Sequence, residues 1–191
     1  MTLYFTPALL LLVLTCAQVS QSVPVASKGP LRESCVGDAR ALLQNITEVL
    51  KQNKLFNGIN CSKESVELNM ETKTPSVCAP KESTCSGIVK TQFDQESCLT
   101  NIGDDLHHYY KFFAAQPNRD SRLALTVLFR LREIMENCFQ WSQLLSKEAP
   151  AERSSTYDER LSLCKVLKGF QVRSITINRA IAYMNSGEHT K

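Results

Sequence analysis

Between Cys164 and Tyr183 the sequence CKVLKGFQVRSITINRAIAY reads as one helix with two usable faces. Leu163, Leu167, Phe170, Ser174, Ile177, Ile181 and Met184 recur at alternating steps of four and three, the spacing of a stripe buried in a helical bundle. On the other side, at helical spacing, stand Val172, Thr176, Arg179 and Tyr183. A solvated face is ordinarily Lys, Glu and Gln, whereas this one offers a β-branched aliphatic, a hydroxyl, a guanidinium and an aromatic ring. Arg and Tyr are enriched at interface hot spots, so this face is a candidate grip on another protein. The plainer reading, ordinary surface residues, stands beside it, because single exposed apolar side chains are common.

The same periodicity predicts three more helices. Helix A is expected over 31–55, with Ala39, Leu42, Ile46 and Val49 inward, Leu43 and Leu50 beside them, and Asn57-Gly58 closing it. Helix B is expected from Cys98, capped by Ser97, with Leu99, Ile102, Leu106, Tyr109 and Phe113 as its stripe. After the break at Gln116-Pro117-Asn118, helix C is expected over 120–145. Its inward set is Ala124, Leu128, Leu131, Met135, Cys138 and Leu145, flanked by Leu125, Ile134 and Trp141. Thr156-x-x-Glu159 is a capping box for helix D, and Asn185-Ser186-Gly187 ends it.

The connections then select a topology. The short B–C link makes B and C antiparallel, while the long stretch 60–97 can carry the chain back so that A and B run parallel. A C–D link of about ten residues reaches at most about 33–36 Å, close to the length of a 24-residue helix. That crossing is nearly taut, so helix C is expected to fray early. The pattern fits an all-α, up-up-down-down four-helix cytokine bundle, with up-down-up-down as the structural alternative. A stretch as long as 60–97 needs pins, and it holds four cysteines.

The N-terminus indicates the compartment in which those cysteines work. Ala8–Leu14 is a short apolar run followed by small and polar residues, the pattern of a secretory signal peptide over 1–22. The domain then spans 23–191, secreted and extracellular, with no membrane insertion. Cys35, Cys61, Cys78, Cys85, Cys98, Cys138 and Cys164 remain after the signal, which suggests three bridges and one cysteine over. The spacings alone leave the pairing open. Asn45-Ile-Thr and Asn60-Cys-Ser are glycosylation sequons, and Asn45 is expected to point away from the core stripe.

Catalytic and nucleic-acid readings have little to stand on. A net charge of +3 without a basic block gives no electrostatic footprint for nucleic acid. Asp104, Asp105, His107 and His108 cluster on helix B, but with three histidines in the chain and no further ligand placed, a solvated helix face is expected there rather than a metal site. There is no GxSxG, no HExxH and no phosphate-cradling glycine loop. No enzyme activity and no cofactor are expected.

Several segments resemble the interleukin-12 alpha-subunit family. In helix D they are Cys164-x-x-Leu167, Gly169-Phe170-x-Val172-Arg173 and Thr176-Ile177-Asn178-Arg179 through Tyr183-Met184-Asn185. Upstream are Cys98-Leu99-x-x-Ile102-x-x-Asp105-Leu106, Cys85-x4-Lys90-Thr91-x-Phe93-x4-Cys98 and Val23-Pro24-Val25-Ala26. The resemblance implies the bridges Cys61–Cys164, Cys78–Cys98 and Cys35–Cys85. Cys138 is then left over, as a buried thiol on the core face of helix C or an interchain bond. It implies that Arg179, ringed by Val172, Thr176 and Tyr183, inserts into an acidic pocket of an interleukin-12 beta-type subunit. It also implies that Tyr157 meets an interleukin-12 receptor chain, and that the output is T-cell and natural-killer-cell activation with interferon-gamma production. A stand-alone cytokine of the interleukin-6 type, acting as a monomer, is the alternative.

Overall fold

The computed structural model describes residues 31–52, 54–80, 93–117, 122–141 and 155–188. The signal segment, Cys85 and Leu145 lie outside them. Helix α1 is Glu33–Leu50, α2 is the single turn Thr74–Val77, and α3 is Gln95–Ala114. A π-helical segment, Leu123–Leu128, runs into α4, Phe129–Phe139, and α5 is Tyr157–Ser186.

Contacts along the helices fix their directions. Asn178 donates to Ala39 O at 2.8 Å, Gln171 to Thr47 Oγ1 at 2.9 Å and Arg160 to Asn57 O at 3.2 Å. The α1 numbers rise as the α5 numbers fall, so the two are antiparallel. The same holds between α3 and α5, where Asp105 faces Arg173 and Tyr109 stacks on Phe170 at 4.3 Å. Against α1, the C helix descends from Thr126 opposite Asn45 to Cys138 opposite Cys35. The order is therefore up, up, down, down. The shared core is built from Leu42, Ile46, Ile102, Leu106, Tyr109, Phe113, Leu131, Ile134, Leu167, Phe170 and Ile177, all essentially without solvent contact.

The helix ends follow local chemistry. Thr156 and Glu159 form the reciprocal capping box of α5, and Gly187, at φ 70°, ends the helix in the left-handed region. Helix α3 starts earlier than expected. Asp94, not Ser97, is its cap, accepting from Ser97 N–H at 3.0 Å. The C helix ends at Phe139 rather than Leu145, where Gln140 turns left-handed at φ 55° and Trp141 N–H donates to Met135 O.

Three further expectations are corrected. In the C helix Leu123 and Val127 are buried, Ala124 and Leu128 are half-buried and Leu125 is 67% exposed. The π turn holds more residues than an α turn and shifts the phase that a uniform period of 3.6 assumes. Cys35 bonds Cys138, not Cys85, with Cα atoms 5.9 Å apart. Antiparallel packing sets the first turn of α1 against the last turn of α4, so the thiol of Cys138 meets a partner there instead of lying free or reaching another chain. Asn45 is half-buried, with Nδ2 3.5 Å from Thr126 O, because the wide π segment packs against that side of α1.

Candidate subunit interface

The outward face of α5 depends on what holds the long A–B connection beside it. Cys61–Cys164 ties the start of that connection to the second turn of α5, and Cys78–Cys98 ties its middle to the first turn of α3. Between the bridges a strap, residues 64–73, runs along α5. Lys168 donates to the carbonyls of Ser62 and Glu64, and Glu67 N–H donates to Lys165 O at 3.1 Å. The strap crosses directly over Gly169, where a Cβ would stand 1.7 Å from Glu67 O. Only glycine permits that approach.

Past Gly169 the strap dips inward at Asn69, onto a buried polar cluster. Asp105 is fully buried, not part of a solvated face, and Arg173 is 4% exposed. Asp105 Oδ1 accepts from Asn69 Nδ2 at 3.0 Å and from Thr72 Oγ1 at 2.7 Å, and Oδ2 accepts from Thr74 Oγ1. Arg173 Nη2 donates to Asn69 O at 2.6 Å. Its Nε stands 3.2 Å from Asp105 Oδ2, an ion pair too oblique to be a hydrogen bond. Tyr109 Oη accepts from Asn69 N–H at 3.2 Å, and burial, its largest influence, pushes the phenol above its ordinary pKa. A buried carboxylate needs such partners. Periodicity alone marked Asp105 as polar surface, because the partners come from a segment without periodicity.

The strap leaves the outward face of α5 beyond Gly169 uncovered at Val172 and Arg179. Val172 is 46% exposed, Arg179 is exposed, and Thr176 and Tyr183 are half-buried along the same side. Among the described residues no carboxylate pairs with Arg179. Tyr183 receives Phe93 edge-on, with ring centroids 5.2 Å apart at 90°, so the end of the A–B connection props one end of the face. The sequence reading omitted Ile175, which is 38% exposed beside Val172 and would have emerged from the same three-residue step.

Tyr157 lies apart from this group. It is the first residue of α5 and is 54% exposed. Twenty-two residues of helix separate it from Arg179, about 33 Å at 1.5 Å per residue. A cleft of about 600 Å³ opens at the same end of α5, lined by Leu55, Arg122, Leu123, Glu159, Arg160 and Leu163, among others, and Tyr157 is not part of its lining. On helix α3, burial lowers the pKa of His107, whose ring meets Trp141 edge-on at 4.9 Å, and raises that of Asp104. Among the described residues no group of three or more His, Cys, Asp or Glu side chains is placed to hold a metal ion. No helix among them is long and apolar enough to cross a membrane.

A family model, interleukin-12 alpha subunit, matches residues 3–187. The chain is 25% identical to interleukin-12 subunit alpha of the dog, over 87% of this chain and 89% of the relative. It is 24% identical to the pig protein of that name, covering 88% and 89%, and 24% identical to the human one, covering 92% and 94%.

Proposed function

Because the chain belongs to the interleukin-12 alpha-subunit family, and is thus a cytokine subunit, we propose that it is secreted and pairs with an interleukin-12 beta-type subunit through Val172, Thr176, Arg179 and Tyr183. The observation that carries this reading is the position of Arg179, exposed on α5 without a carboxylate among the described residues. A guanidinium is planar and suits bidentate pairing with a buried carboxylate. An acidic pocket on the partner is the matching chemistry. Tyr157 is proposed as the contact for an interleukin-12 receptor chain. Its distance of about 33 Å along α5 leaves room for two proteins at once. The beta-type subunit would engage a second receptor chain, and receptor proximity rather than catalysis would carry the signal to T-cell and natural-killer-cell activation and interferon-gamma production.

Residues 1–22 are proposed as the signal peptide and 23–191 as the cytokine domain. Asn60 is the better placed glycan acceptor. It is exposed, and its Oδ1 caps the turn at Cys61–Lys63 while leaving Nδ2 for a sugar. A glycan on Asn45 must displace Nδ2 from Thr126 O.

The test is co-secretion with a beta-type subunit of the same species, the secreted mass being read by light scattering. A one-to-one complex that is lost on Arg179→Glu supports the reading. Efficient secretion as an active monomer, indifferent to the beta-type subunit, overturns it in favour of a stand-alone cytokine.

A further inference from the structure

The sequon Asn60-Cys61-Ser62 contains one half of a bridge, and the finished turn holds all three of its residues. Cys61 is buried and bonded to Cys164, with Cα atoms 5.7 Å apart. Asn60 Oδ1 accepts from Ser62 N–H at 3.2 Å and from Ser62 Oγ at 2.7 Å, and Asn60 O accepts from Lys63 N–H at 3.0 Å. Lys168 of α5 donates to Ser62 O. Upstream, Ile59 N–H donates to the carbonyl of the buried Phe56 at 2.7 Å. The chain is therefore anchored on both sides of Asn60. Asn60 itself is exposed, and its Nδ2 donates to no group among the described residues.

We infer that closure of Cys61–Cys164 ends the competence of Asn60 to accept a glycan, so that the two modifications have a fixed order. The inference rests on the reading of residues 1–22 as a signal peptide and of Asn60 as an acceptor. An asparagine amide nitrogen is a weak nucleophile, because its lone pair is delocalised into the carbonyl. A transferase must take hold of the carboxamide and of the hydroxyl two residues on, and in the closed turn these two groups are bonded to each other. In the transfer, Asn60 Nδ2 bonds to the anomeric carbon of a lipid-linked oligosaccharide and gives up a proton. The bond from that carbon to the lipid pyrophosphate breaks, and the pyrophosphate leaves with the electron pair. In the closure, the two thiols pass two electrons and two protons to the disulfide of a thiol oxidoreductase, which becomes a dithiol. The order is one-way. A glycan already on Asn60 stands on an exposed side chain and leaves Cys61 able to reach Cys164, whereas a closed bridge pins the sequon. Cys164 lies 103 residues downstream of Cys61, so synthesis at the usual pace delivers it about 5–20 s later. The glycan state of a finished chain therefore records which reaction came first.

The experiment offers the full chain, made without glycans and then folded and oxidised, to a purified oligosaccharyltransferase with its lipid-linked donor. Glycan gain at Asn60 and at Asn45 is read by peptide mass spectrometry. The same wild-type chain, reduced and unfolded, gives the upper limit of the rate. Two variants lack the bridge, Cys61→Ala with Cys164→Ala and Cys61→Val with Cys164→Ala, and both keep an Asn-x-Ser sequon; the second also keeps apolar volume at the buried site. Transfer to Asn60 in the oxidised wild-type chain is expected to be about tenfold slower than in either variant, because it waits on local opening of the turn. The rate at Asn45 is expected to be unchanged, since its helix does not depend on that bridge. An oxidised wild-type chain modified at Asn60 as fast as the unfolded chain overturns the inference without recourse to any variant. Wild-type and variant rates that agree at Asn60 overturn it as well. A rise at Asn45 equal to that at Asn60 in both variants assigns the effect to loss of the whole fold and also overturns it. No transfer to Asn60 even in the unfolded chain removes the acceptor reading together with the inference, and leaves the pairing reading standing.

Discussion

Asp105 and Arg173 face each other in the interior, Oδ2 to Nε at 3.2 Å, and both also bind Asn69 of the strap. Two helices and one irregular segment thus meet at a single charge pair. Removing one member leaves the other charge buried without compensation, which costs about 3–5 kcal/mol. Asp105→Ala is therefore expected to lower the unfolding free energy by about that amount in denaturant titrations. Amide exchange at 67–72 should rise as well. Replacing both partners by apolar residues, Asp105→Leu with Arg173→Met, is expected to recover part of the loss, since a paired apolar substitution removes both desolvation costs.

Gly169 and Gly37 provide an internal comparison. A Cβ at 169 would overlap Glu67 O at 1.7 Å, whereas one at 37 meets nothing within 4 Å. Gly37→Ala in α1 is expected to stabilise by about 0.4–1 kcal/mol through helix propensity and the unfolded chain. Gly169→Ala is expected to do the reverse, lowering the melting temperature and freeing the strap, because the obstacle is backbone and cannot rotate away. Thermal melts of the two variants check the opposite signs.

The bridge of Cys35 to Cys138 closes a span of 103 residues. Native bridges of this kind contribute about 2–4 kcal/mol. Cys138→Ser is expected to destabilise the chain by that order, and Cys85→Ser to leave its melting temperature unchanged. Peptide mapping under non-reducing conditions checks the pairing directly. The reverse pattern of stabilities would restore the Cys35–Cys85 bridge.

The lowered pKa of His107 sets the sign of one pH effect. Burial disfavours its imidazolium, so the folded chain binds its proton more weakly than the unfolded chain does. The stabilisation linked to the neutral ring is fully present above the ordinary value of 6.5 and is lost as pH falls through that value towards the depressed one. Melting temperature is expected to decline modestly between about pH 7 and pH 5, and His107→Gln is expected to flatten the decline. An NMR titration of the ring that gives a midpoint above the ordinary value would sink this account.

The sequence by itself determined the elements whose signal is local and periodic. The stripes of α1, α3 and α5 bury the residues their spacing marks, such as Leu42, Leu106 and Phe170. The Thr156–Glu159 capping box was legible because its parts are three residues apart. Val172, Thr176, Arg179 and Tyr183 share one side of α5 because helical geometry alone puts them there. What depends on which segments become neighbours was decided only by tertiary structure. Cys138 was correctly phased towards the core, but its partner depends on α1 and α4 lying antiparallel side by side. Asp105 looked like surface until an irregular strap brought Asn69, Thr72 and Thr74 to it. The π segment moved Leu125 outward because its turn is wider than the α period assumes. Periodicity reports which side of a helix seeks burial, whereas the identity of the group waiting there is a long-range property of the packed chain.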